Sequence, residues 1–167
     1  MSPSGAIRIG VVADTHGLFD QALIRHFRAV DRIVHAGDIG TRSVIEQLEA
    51  MAPVTAVSGN VDDYEASGFP REVIINLKGF RIAIRHVVFE GGKLTREGRE
   101  FLDRTRADIC IFGHTHQPKS EWLGDTLLFN PGSAGPKRFK LRRALGLLTI
   151  GKDSVSVYHV ILADHAG

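Results

Sequence analysis

A chain of 167 residues matches the roughly 100–200 residues of one domain and can bury a core without disulfide staples, so one domain over residues 1–167 is expected. Its 43% hydrophobic and 24% charged residues exclude a disordered chain, and a net charge of +2 is too small to imply binding to nucleic acid. No apolar run approaches the ~18 residues of a membrane span, and Met1 to Gly5 lacks the regions of a signal peptide. The lone Cys110, in the apolar run Ile109 to Phe112, suits a buried, inert thiol and a cytoplasmic protein.

Ile7 to Ala13 is a nearly unbroken apolar run, the pattern of a strand buried on both faces. Leu23, Ile24, Phe27 and Val30 recur at helical spacing, and a strand at Arg32 to His35 follows. Val44, Ile45, Leu48 and Met51 repeat the helical pattern before a strand at Val54 to Val57. This alternation predicts right-handed crossovers and a largely parallel sheet. Val73 to Leu77 and Phe80 to Arg85, separated by Lys78 and Gly79, then read as a hairpin. A helix is expected around Leu94 to Arg104, though Gly98 lowers its propensity, with a strand at Asp108 to Phe112 after it. Glu121 to Leu123 with Thr126 to Phe129, and Leu145 to Ile150 with Val155 to Val160, complete the strands. Two mixed sheets stacked face to face, with helices on their outer faces, bury all of these in one four-layer α/β/β/α sandwich.

Polar residues that bind metals stand just past successive strands: Asp14 and His16, then Asp38, then Asn60, then His86, then His114 and His116. Sites in open α/β sheets gather at the carboxyl ends of strands, so these loops should converge. Mixed carboxylate, amide and imidazole donors suit manganese, iron or zinc, and seven donors exceed the needs of one tetrahedral ion. Two ions are the economical reading; such a pair provides a hydroxide nucleophile at neutral pH and a clamp for phosphate oxygens. The turn Asn130-Pro131-Gly132-Ser133 is expected to support a neighbouring ligand.

The ordered set Asp14-Thr15-His16, Gly37-Asp38, Gly59-Asn60, His86 and Gly113-His114-Thr115-His116 resembles the calcineurin-like metallophosphoesterase superfamily. Its short length and its Asn130 to Ser133 turn are similar to the small YfcE-type phosphodiesterase branch. The resemblance implies the superfamily's stacked-sheet sandwich and a phosphodiesterase acting on a small diester. It also implies two divalent ions, manganese foremost with nickel, iron or zinc as alternatives. Asp14, His16 and His116 would bind the first ion and Asn60, His86 and His114 the second, with Asp38 bridging. Asp38, Asn60 and His86 would form the catalytic centre. In much of the superfamily a histidine follows the asparagine and protonates the leaving group; here Val61 stands there, and Val87 follows His86 where glycine is frequent. Asp62 or Asp63 is the available substitute acid.

Two rival functions share the fold: a protein-binding scaffold, as in the retromer small subunit, and a phosphomonoesterase. His35 reads as a support for a ligand or as a core histidine, and His26, His159 and His165 as structural or exposed. Trp122 suits the core or a subunit interface of a homo-oligomer. Lys137, Arg138, Lys140, Arg142 and Arg143 form a basic cluster that reads as a solvated loop or as a contact to an anionic substrate or partner.

Overall fold

In the first strand, β1 (Ile7–Val12), Ile9 and Val11 pack to one side and Val12 to the other, all without exposed surface, as an apolar run without polar alternation requires. The computed structural model describes residues 5–60, 62 and 68–164. The chain continues through α1 (Ala22–Phe27), β2 (Arg32–His35), α2 (Arg42–Glu49), β3 (Val54–Ala56), β4 (Glu72–Leu77) and β5 (Phe80–Arg85). After these come β6 (Phe89–Glu90), β7 (Lys93–Leu94), α3 (Arg96–Thr105), β8 (Ile109–Ile111), β9 (Lys119–Leu123), β10 (Thr126–Asn130), β11 (Ala144–Ile150) and β12 (Val155–Ile161).

One sheet has the order β12-β11-β1-β2-β3 and the other β4-β5-β8-β10-β9. In the first, β1, β2 and β3 are parallel; in the second, β5, β8 and β10 are parallel. Hairpin partners add antiparallel strands at the margins, so both sheets are mixed. Ile9, Val34, Ile82, Ile111 and Phe129 belong to the core between the sheets. The helices α1 and α2 cover the outer face of the first sheet through Leu23, Phe27, Val44, Ile45 and Leu48, and Phe101 of α3 covers the second.

The expected helix around Gly98 forms because this glycine is used for closeness. A Cβ there would stand 2.5 Å from the Val88 carbonyl oxygen, and Thr95 caps the helix by accepting the Gly98 N–H at 2.9 Å. Cys110 is buried, and burial pushes its thiol up to about 12, as an inert cysteine requires.

Some expectations fail for identifiable reasons. Ile24 is 48% exposed, since α1 ends at Phe27 and its short apolar stripe is completed by Leu23 and Phe27. Of the two places expected for Trp122, the core is excluded, since it is 59% exposed on the edge strand β9; the subunit-interface alternative is compatible with that exposure. Arg143, expected in a solvated basic loop or in contact with an anionic substrate or partner, is instead buried and paired with Asp20 at 2.8 Å. The β6–β7 hairpin was not anticipated. Among the described residues no helix is long and apolar enough to cross a membrane.

Candidate metal centre

Parallel strands share a direction, so the loops after β1, β2 and β3 leave one end of their sheet, and those after β5, β8 and β10 one end of the other. Backbone bonds gather them: the Asp14 N–H donates to Gly37 O at 2.9 Å and the Gly113 N–H to His86 O at 3.0 Å. Across the sheets, the His114 N–H donates to Asp14 Oδ2 at 3.0 Å. The anticipated convergence of loops is therefore present.

Local backbone geometry marks the same residues. Eight non-glycine residues among those described have positive φ, and five of them are Asp14, His16, Asp38, His114 and His116, at 46° to 74°. A left-handed conformation costs an L-residue roughly 1–2 kcal/mol, and such strain persists where it aims side chains at a site. Gly59 supplies a different concession, for any Cβ there would collide with the carboxylate and backbone N–H of Asp38.

Asp14, His16 and His116 each bring a ligand atom within 4.8 Å of the others, and so do Asp14, Asp38 and His86. Asp14 Oδ1 is common to both groups, 3.4 Å from His116 Nε2, 3.6 Å from His86 Nε2 and 3.9 Å from His16 Nε2. It is buried yet accepts no hydrogen bond, and His16 Nε2 likewise has none. Leaving such atoms unsatisfied costs about 1–3 kcal/mol each and more when charged, a cost that a cation between them removes. Asp38 Oδ2 spans the groups as well, 3.1 Å from His86 Nε2 and 3.8 Å from His16 Nε2.

His86 Nδ1 donates to Ala36 O at 2.7 Å, since a carbonyl can only accept, and this turns the Nε2 lone pair of the neutral ring toward the two carboxylates. Burial disfavours the charged ring, but Asp38 and Asp14 outweigh it and hold the His86 pKa above its ordinary value. The Asn60 side-chain oxygen faces only acceptors, the Asp38 carboxylate oxygens and His86 Nε2. Turned over, its nitrogen would donate to them at 3.2, 3.2 and 3.0 Å. Oxygen-inward, the amide completes an all-acceptor set that suits a cation. Burial is the main influence lowering the pKa of His16; Arg138 and His116 add to it against Asp38 and Asp14.

His114 stands beside this group, its ring edge-on to His86 at 5.6 Å, but its Nε2 pairs with Glu90 at 3.1 Å. Asp62, a candidate acid, accepts the N–H groups of Ile39 at 2.5 Å, Gly40 at 3.2 Å and Gly59. That is a brace for the loops holding Asp38 and Asn60. Val61, Asp63 and His165 lie outside the described residues.

The expected support from the Asn130 turn is present. Asn130 Nδ2 donates to Gly113 O at 3.2 Å and to Thr115 Oγ1 at 3.1 Å, and Ser133 Oγ donates to Asp14 O at 3.0 Å. Arg143 underpins that turn by donating to Ala134 O and Gly135 O, a role that a run of basic residues conceals. His159 Nε2 donates to Asn130 O at 2.7 Å, and its ring stacks on Phe129, so it is structural.

His35 is fully buried. Gly37 N–H donates to its Nδ1 at 3.1 Å, so Nε2 carries the proton and donates to Thr15 Oγ1 at 2.9 Å, which in turn donates to Ile39 O. Burial drives its pKa down to about 3 from 6.5; His86 and His16 add to that, and Asp14 and Asp38 oppose it. The unfolded chain therefore takes up this proton below pH 6.5 while the folded chain does not, and stability falls with pH over that window. Metal-free protein should lose about 2 kcal/mol from this group between pH 7 and 5. Urea unfolding at both pH values, beside His35→Gln, checks it: the variant should lack that part of the slope, and equal slopes would refute the assignment.

A family described as the calcineurin-like phosphoesterase superfamily domain matches residues 7–153. A probable metallophosphoesterase of Methanothermobacter thermautotrophicus is 37% identical over 131 residues, covering 75% of this chain and 76% of that protein. Vps29 of Entamoeba histolytica, solved as a single-site variant, superposes with a TM-score of 0.81 at 23% identity, covering 96% of this chain and 95% of that one. A structure described as a novel archaeal phosphodiesterase gives 0.73 at 21% identity, covering 93% and 100%. At those identities the two structures establish the shared fold alone. The family match, the 37% identical relative and the clustered aspartates and histidines agree, and the chain belongs to the calcineurin-like phosphoesterase superfamily.

Proposed function

We propose that this phosphoesterase is a cytoplasmic, metal-dependent phosphodiesterase with two divalent ions. The observation that carries the reading is Asp14 Oδ1, buried, without a hydrogen bond, and ringed by three imidazole nitrogens at 3.4–3.9 Å. Asp14, His16 and His116 would hold one ion and Asn60, His86 and His114 the other, with Asp38 between them. Divalent ions there would supply a nucleophile from water near neutral pH and a positive clamp for phosphate oxygens. The chain's own part is to present neutral imidazoles in fixed tautomers, as Ala36 does for His86, and to keep the Asp14 carboxylate dry.

The diester reading draws on the fold-level likeness to an archaeal phosphodiesterase; in the basic cluster Lys137 pairs with Asp164 at 2.8 Å and Arg143 with Asp20, while Arg138 stays within electrostatic reach of His16. The scaffold reading draws on the likeness to Vps29. A scaffold needs no such set of residues; the sequence carries all seven, and five of them come together in two groups.

The test is to strip the protein with chelator and restore manganese, nickel, magnesium or zinc separately. Bis(p-nitrophenyl) phosphate and p-nitrophenyl phosphate are then assayed, with Asp38→Ala as control. At least one metal should restore diester turnover well above the control and above the monoester. Failure of every metal would favour the scaffold, and faster monoester cleavage the phosphomonoesterase.

A further inference from the structure

Between the loops after β3 and β5 the candidate centre is flanked by a notch of about 30 Å³. A volume of roughly 10–15 Å³ holds one water, so the notch admits one or two oxygen-sized groups and neither a ring nor a sugar. Its wall includes the prospective ligands Asn60 and His86, and also Gly59, where a Cβ would collide with the Asp38 carboxylate. Two arginines complete it, and they differ in how they are occupied. Arg85 donates to Glu72 Oε2 at 2.5 Å and to Val87 O at 3.0 Å, so its charge is already met. Arg71 is exposed, and among the described residues no carboxylate or carbonyl takes its guanidinium. Its backbone is nonetheless fixed beside the site: the carbonyl of the preceding Pro70 accepts the Ser58 N–H at 2.8 Å, two residues before Asn60.

Cleavage of a diester moves an electron pair onto the departing oxygen, which then needs a proton or a positive partner. The residues that follow Asn60 offer no free acid: Val61 has no proton to give, and Asp62 is committed to the N–H groups of Ile39, Gly40 and Gly59. What remains beside Asn60 is an oxygen-sized notch with one uncommitted cationic donor. A guanidinium keeps its protons at any working pH, so it serves as a fixed charge with a fork of N–H groups and not as an acid. We propose that Arg71 is a catalytic residue that donates hydrogen bonds through this notch to the departing oxygen of the diester. This rests on the phosphodiesterase reading. In the step, the oxygen of water bonds to phosphorus, and the bond from phosphorus to the departing oxygen breaks with its electron pair going to that oxygen. Arg71 meets the new charge, one proton of the attacking water passes to solvent, and the departing oxygen takes its own proton from solvent.

The test uses methyl diesters whose leaving groups fall in acidity from p-nitrophenol through m-nitrophenol to phenol, with the metal-loaded protein. Arg71 is exposed, so its replacement is one the fold tolerates. Arg71→Ala should lose about 2- to 3-fold in kcat/KM with the p-nitrophenyl ester and about 10-fold with the phenyl ester, less than for a buried donor because the guanidinium faces water. Arg71→Lys, which keeps the charge without the fork, should lie between wild type and Arg71→Ala. Arg138→Ala removes the same charge from the His16 flank and should leave the dependence on leaving group unchanged. A loss in Arg71→Ala that is equal for all three esters, or no loss, would overturn the proposal, as would the same steepening in Arg138→Ala. If the wild type cleaves none of the esters, the phosphodiesterase reading fails, and the notch is then judged by the binding of inorganic phosphate to the zinc-loaded protein, followed by phosphorus NMR. A dissociation constant at least about 5-fold weaker in Arg71→Ala supports an oxyanion contact there; an unchanged one refutes it.

Discussion

Asp14→Asn should abolish most of the activity and cancel the effect of metal on stability. The substitution keeps the shape of the side chain and an oxygen able to accept the His114 N–H, so it removes little except a buried negative charge. That charge faces the Nε2 atoms of His16, His86 and His116. Turnover of an aryl diester should fall about 10²–10³-fold, the scale for losing one preorganised electrostatic partner of a transition state. Without metal, the wild type keeps an unsatisfied carboxylate oxygen in its interior, so the variant should be at least as stable. Metal at one hundred times its dissociation constant should add about 2.7 kcal/mol to the wild type and far less to the variant. Unfolding curves with and without chelator measure both terms. If the variant is destabilised equally in the two conditions, Asp14 serves only to hold the His114 loop.

The second large effect concerns the leaving group. The chain has Val61 where much of the superfamily has a proton-donating histidine, and the nearby Asp62 spends both carboxylate oxygens on backbone N–H groups. A positioned acid is worth ~10²–10⁴-fold for a poor leaving group and almost nothing for an acidic phenol. Across a series of diesters of graded leaving-group acidity, log kcat should therefore fall steeply toward the alkyl esters. Compared with a relative bearing the histidine, the deficit should widen to that same ~10²–10⁴-fold for alkyl esters. A shallow slope would mean that another acid has taken over the proton.

Much of this fold is legible because burial has a period. Ile9, Val11 and Val12, the stripes of α2, and the Lys78-Gly79 turn between β4 and β5 follow from local patterns that packing preserves. The β6–β7 hairpin has strands of two residues and therefore no period to read. Arg143 was misread because its neighbours are solvated cations, while its burial depends on Asp20 and on carbonyls distant in sequence. The site's composition is legible because each prospective ligand follows a strand. Its finer geometry is not: the left-handed backbones at Asp14, Asp38 and His116 belong to loops that meet across the two sheets, and the turn of His114 toward Glu90 depends on the short β6–β7 hairpin.

That meeting has a consequence for how the protein comes into being. Asp14, His16 and Asp38 hang from the first sheet, His86 and His116 from the second, and each ligand group draws on both. Neither half of the sandwich carries a complete ligand group, so full capture of metal would await the docking of the halves. A nascent chain with only β1 to β3 assembled would offer Asp14, His16 and Asp38 but lack the histidines that complete either group. Once closed, an ion across the seam would act as a rivet, and its release rate would report how often the two layers part.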